Sequence, residues 1–236
     1  KTLLPQLQRG LTQINAEGKT VGDLAESWSI SAGGKKFSFV LAKAFWSDGV
    51  AIQAKDFVFA WKRLLAPGSP LAPSAALWNI QGAKEFHQGI RQDFRLVSIR
   101  AEGDRLLEIE LNNPSPNFLT DIASSIFGPQ REDVFFAHPT DFSDPLHYRA
   151  SGPYQPLEWK KGESLLFVVN SYYPAPPSIA KIQFLFQGDE AAQKAFEQGN
   201  TDIWVGHSGV SAYGPRVVAP KARTLGFPPF QLLVWK

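Results

Sequence analysis

The hydrophobic positions of this chain shift from a period of two to a helical period and back, and each shift marks an element. Phe37, Phe39 and Leu41 recur at every second position, which predicts a strand with one buried face; Leu107, Ile109 and Leu111 repeat the pattern. Between them, Trp46-Ser47-Asp48-Gly49 reads as a tight turn, the aspartate able to bond backbone and the glycine free to take positive φ. Phe57, Ala60, Trp61 and Leu64 then stand at i, i+3, i+4 and i+7, which predicts an amphipathic helix ending after Leu65, where Pro67-Gly68-Ser69-Pro70 cannot continue it. A second helix is predicted over 189–198, with Asp189 as N-cap, Ala192, Ala195 and Phe196 on one face, and Gly199 just past its end. Strands are predicted over 164–170 and 181–187, on either side of the break at Pro174-Ala175-Pro176-Pro177. The pattern is mixed α and β, with strands that do not alternate strictly with helices.

Composition narrows the function classes. The chain has 236 residues, 44% hydrophobic and 19% charged, which suits a globular protein of one large or two small domains. A net charge of +2, scattered along the chain, gives no polybasic patch that would imply nucleic acid or an anionic membrane as partner. There is no cysteine, so disulfides and thiolate metal sites are excluded. No apolar run approaches the ~20 residues of a spanning helix. The chain begins at Lys1 with no apolar signal region behind it, and it reads as a mature product from which an export signal has been removed.

Candidate chemistry is sparse. His87, His138, His147 and His207 form no H-E-x-x-H and no pair at i, i+4, so the first three read as solvated or locally hydrogen-bonded side chains. Ser151-Gly152-Pro153-Tyr154 lacks G-x-S-x-G, which favours a strand entry over a nucleophile. Gly-rich phosphate loops are missing, and Trp28, Trp46, Trp61 and Trp159 read as packing residues. These features predict neither a metal site nor a catalytic site.

Five segments in order carry a resemblance. Asp23-Leu24-Ala25-Glu26-Ser27-Trp28 precedes Gly33-Gly34-Lys35-Lys36-Phe37, and the WSDG turn precedes the helix AKDFVFAWKRLL. A strand then ends in Asn113-Pro114-Ser115-Pro116, Gly152-Pro153-Tyr154 is followed by Trp159-Lys160-Lys161-Gly162-Glu163, and Gly199-Asn200-Thr201-Asp202-Ile203 closes the set. Together they resemble the periplasmic oligopeptide- and dipeptide-binding proteins of ABC importers, the family 5 extracellular solute-binding proteins.

The resemblance implies a mixed α+β fold: a lobe of the class II periplasmic-binding-protein type, with an inserted α+β subdomain and without the second lobe. Residues 1–9 and 130–236 would form the ligand-binding lobe and residues 10–129 the insertion. It further implies a binding protein rather than an enzyme, with a di- or oligopeptide as ligand, ABC permease subunits as partners, and no cofactor. The location would be the periplasm or the outer face of the cytoplasmic membrane, with membrane contact only through a lipid anchor or the permease. Leu71, Val205, Gly206, His207, Phe227 and Phe230 stand where the family lines its cleft. A different solute, such as a nickel complex, a sugar or a signalling peptide, is the alternative ligand. A non-transport interaction module built on a truncated binding-protein fold is the alternative role.

Overall fold

The computed structural model describes residues 4–69, 75–139, 141 and 144–202, together with the backbone of 233–235. The described elements begin with α1 (Leu4–Leu7) and the hairpin β1 (Thr12–Ile14) and β2 (Thr20–Gly22). Next come β3 (Ala25–Ser31), β4 (Lys36–Leu41), α2 (Ala54–Leu65), α3 (Ala75–Trp78) and α4 (Ala83–His87). The strands β5 (Ile99–Glu102) and β6 (Leu106–Glu110) follow, then α5 (Phe118–Asp121) and α6 (Glu132–Ala137). A second strand set, β7 (Tyr154–Lys160), β8 (Ser164–Val169) and β9 (Lys181–Leu185), leads to α7 (Asp189–Glu197) and β10 (Leu233–Trp235).

Two four-stranded antiparallel sheets result, in the orders β3-β4-β6-β5 and β10-β9-β8-β7. In the first, Phe37 pairs with Ile109 and Phe39 with Leu107, so the alternating residues of the two strands share one face. That face packs with Phe57, Ala60, Trp61 and Leu64 of α2 into a core drawn from residues between Leu11 and Phe127. Leu7, Tyr154, Leu165, Phe167, Ile182 and Phe184 form a separate core on the second sheet.

The ends of α2 follow from local chemistry. At its start the Gln53 amide donates to the Asp56 carboxylate over 2.9 Å, which satisfies an N–H that the helix leaves unpaired. At its end Ala66 turns to an extended conformation and Gly68 takes φ +76°. The sequence-based bounds hold there and differ slightly elsewhere. Gly188, not Asp189, is the N-cap of α7, and Asp189 is its first helical residue, where its charge still favours the helix dipole. Strand β8 stops at Val169 and β9 at Leu185. Asn170, fully buried, gives its side-chain amide to the Gly152 carbonyl, a contact that ends regular pairing. Pro156 fits β7 because that strand is an edge and carries a bulge between Pro156 and Glu158.

Candidate functional site

The six residues that the sequence places at a ligand cleft, Leu71, Val205, Gly206, His207, Phe227 and Phe230, lie outside the described residues. What the structure does define is the seam from which such a cleft would be held, where the chain passes between the two cores. Leu7, Gln8 and Arg9 run along this seam. The Leu7 carbonyl accepts from the amides of both Ser151 and Gly152, each at 2.9 Å. The Gln8 side chain donates to the Pro129 carbonyl at 2.8 Å and accepts from the Tyr148 hydroxyl at 2.7 Å. The Arg9 amide donates to the Ser151 hydroxyl at 3.0 Å, so Ser151 serves as a strand-entry bond, as its motif suggests.

Two glycines allow this close approach. A Cβ on Gly152 would lie 2.7 Å from the Gln6 oxygen, and one on Gly128 would lie 2.4 Å from the Arg9 oxygen. Arg9 then turns to Asp23 of the DLAESW motif, with Nε 2.6 Å from Oδ1, while the Gly10 amide donates to Oδ2 at 3.1 Å. Burial raises the Asp23 carboxyl above its ordinary value against the opposing pull of Arg9.

The WSDG turn is the second bridge across the seam. Gly49 takes φ +84° and donates its amide to the Trp46 carbonyl at 2.9 Å, while Asp48 accepts from the Val50 amide at 3.3 Å. The Ser47 amide bonds the Ala150 carbonyl at 2.8 Å, and its hydroxyl accepts from the Ala150 amide at 3.1 Å. Asp48 lies 3.0 Å from Arg131 and 3.4 Å from Arg149. Tyr172, between β8 and β9, meets Phe45 with ring centroids 6.3 Å apart. Beneath the turn, buried Asp56 accepts from the Trp46 indole at 3.2 Å and from Gln53. The polar groups named here bond one another, which makes the seam a joint that sets geometry.

Away from the seam the structure gathers side chains that local spacing kept apart. His138 and His147 stack with centroids 3.6 Å apart, and both face Asp141. The interval between them hides the pair from any i, i+4 reading, and only the fold brings it together. His87, read as solvated or locally bonded, meets Trp78 edge to face at 5.0 Å, and its Nδ1 is buried without a hydrogen-bond partner among the described residues.

The model of the bacterial extracellular solute-binding proteins, family 5 Middle, matches residues 19–213. The chain is 29% identical over 211 residues to the oligopeptide-binding protein OppA of Bacillus subtilis, covering 86% of this chain and 38% of that one. It is 32% identical over 170 residues to the probable deoxycholate-binding periplasmic protein YgiS of Escherichia coli, covering 71% of this chain and 32% of that one. The substrate-binding domain of an oligopeptide ABC transporter from Bacillus anthracis superposes with a TM-score of 0.76 at 27% identity, covering 84% of this chain and 39% of that structure. The chain thus spans about a third to two-fifths of the length of these proteins. No helix among the described residues is long and apolar enough to cross a membrane. With the match running from the β1–β2 hairpin past α7, the chain belongs to the family 5 bacterial extracellular solute-binding proteins.

Proposed function

We propose that this chain supplies the first lobe and inserted subdomain of the solute-binding component of an ABC importer. In this reading it binds di- or oligopeptides outside the cytoplasmic membrane, catalyses no reaction, and delivers its ligand to the permease. The observation that carries the reading is the family match over residues 19–213, joined to relatives named for peptide binding. Residues 1–9 and 130–236 are assigned to the lobe and 10–129 to the insertion. The separate cores support that division, with α6 leaning back on α2 through Phe135 against Phe59. Leu71, Val205, Gly206, His207, Phe227 and Phe230 are assigned to the cleft. Affinity would come from hydrogen bonds to the ligand backbone, with permissive side-chain pockets around it.

A second reading has its own support, since YgiS is named for deoxycholate. Calorimetric titration of the 236-residue chain, and of the longest product its gene encodes, separates the two. The peptide reading expects saturable binding of a mixed di- to pentapeptide library by the longer product, and weaker binding by this chain. Domain closure over a ligand excludes water from both sides, which one lobe cannot do. Binding of deoxycholate without binding of any peptide would overturn the peptide reading in favour of the second.

A further inference from the structure

We propose that His138, Asp141 and His147 form a binding site for a divalent first-row transition ion, with zinc and nickel the best-suited occupants. The three residues offer one ligand atom each, all within 4.8 Å of one another. His138 Nδ1 lies 3.6 Å from Asp141 Oδ1, and His147 Nδ1 lies 3.4 Å from Asp141 Oδ2. Two donors each about 2.0–2.2 Å from a shared tetrahedral ion stand roughly 3.4 Å apart, and each nitrogen lies near that distance from its own oxygen of the Asp141 carboxylate, which sits between the two rings. Two imidazoles and a carboxylate favour zinc, nickel or copper, whereas magnesium and calcium prefer all-oxygen shells. A three-residue set leaves the remaining positions to solvent.

Among the described residues, the charged side chains nearest the three donors are engaged elsewhere. Asp144 is engaged as the cap of the short turn Pro145–His147, accepting from the Leu146 amide at 2.8 Å, so Asp141 is the carboxylate left to face the rings. Arg149 points its guanidinium at the carbonyls of Leu146 and His147, at 3.4 and 3.3 Å. His138 follows the last residue of α6, and the prolines at 139 and 145 stiffen the connection on both sides.

The rings lie 17° from parallel, so an ion in the plane of one is out of the plane of the other. Loading therefore turns one ring until the two lone pairs converge, and the stack opens. His138, with its side chain 31% exposed, has the room to do so. The His147 Nδ1 also lies 3.2 Å from the Asp141 carbonyl, and it must be unprotonated to act as a ligand.

The test is calorimetric titration of the untagged chain with zinc sulfate, nickel chloride and, as control, magnesium chloride. Imidazole resonances are followed by NMR in parallel. The expected result is one zinc per chain, no magnesium heat, and displacement of the His138 and His147 signals as the stack opens. His138→Gln, Asp141→Asn and His147→Gln should each weaken zinc binding on the order of tenfold or more, while His87→Gln leaves it unchanged. Far-UV circular dichroism checks the fold. If a histidine variant misfolds, Asp141→Asn decides alone, since that side chain is 54% exposed. Absence of saturable zinc binding would overturn the proposal, and so would zinc binding that survives all three ligand substitutions.

Discussion

Trp61 donates its indole N–H to the Phe127 carbonyl across 2.7 Å, and the two rings meet edge to face with centroids 6.3 Å apart. One side chain of α2 thereby both fills the larger core and satisfies a buried carbonyl where the chain leaves that core. Trp61→Ala should destabilise the protein by about 3–5 kcal/mol through the cavity it leaves. Trp61→Phe retains much of the volume but orphans the carbonyl, at a cost of about 1–3 kcal/mol. Urea denaturation of the two variants checks both values, and a Trp61→Phe variant as stable as the parent would show that the hydrogen bond contributes nothing.

Gly152 and Gly162 separate a packing requirement from a conformational one. A Cβ at Gly152 meets the backbone of Gln6, Leu7 and Gln8 within 2.9 Å, whereas one at Gly162 meets nothing within 4 Å, although φ there is +80°. Gly152→Ala should therefore cost about 1–3 kcal/mol by overpacking and detach α1. Gly162→Ala should cost about 1–2 kcal/mol from backbone strain alone, leaving α1 seated. Hydrogen exchange at the Ser151 and Gly152 amides distinguishes the two.

Asp48→Asn removes the ion pairs with Arg131 and Arg149 across the seam. Partial exposure limits the loss to about 1 kcal/mol, and the difference from the parent should shrink as salt is added. Melting curves at low and high ionic strength measure it.

Asp56 gives the stability curve a defined slope. Burial outweighs the hydrogen bonds from Gln53 and Trp46 and raises its carboxyl above the ordinary value. The folded chain therefore takes up this proton at a higher pH than the unfolded chain does. Acidification from neutrality toward the ordinary aspartate value of about 3.9 then favours the folded state at this group. Asp56→Asn has no such proton, so the parent should gain stability relative to the variant as pH falls over that interval. Denaturant titrations at matched pH values test the sign, and a gap that closes on acidification would refute it.

His207→Ala and Leu71→Tyr, made in the longest product of the gene, should change ligand preference and leave the melting temperature unaltered. Tyrosine at residue 71 adds amphipathic contact area for a peptide. Unfolding of either variant, or unchanged affinity in both, would remove these residues from the cleft.

Elements whose signal is local were legible in the sequence. The helix Ala54–Leu65 shows its face and its stop in consecutive residues, and Lys36–Leu41 shows its alternation. Strand β3 escapes this reading because, as a sheet edge, it buries only Ala25 fully and its remaining side chains carry no clean period. The hairpin β1–β2 and strand β5 are too short to show a period at all. The seam was illegible for a different reason. Gln8 with Pro129, Arg9 with Ser151, and Trp61 with Phe127 are contacts over 121, 142 and 66 positions, and residue spacing does not encode them. The same is true of His138, just past α6, and His147, at the end of the turn Pro145–His147, whose rings meet only in the fold.

The passage of Leu7–Arg9 between Gly128 and Gly152 also sets an order of events during synthesis. Residues 11–127 hold all the members of the larger core and can collapse as soon as they leave the ribosome. The segment just ahead of them can seat only in part then, through Arg9 on Asp23, because its partners at 148, 151 and 152 have not yet been made. Leu7–Arg9 are thus among the last residues to gain their full set of partners, and closing so large a loop is slow. In a released chain truncated before Tyr148, the larger core should resist protease while a cleavage site placed at Gln8 is still cut.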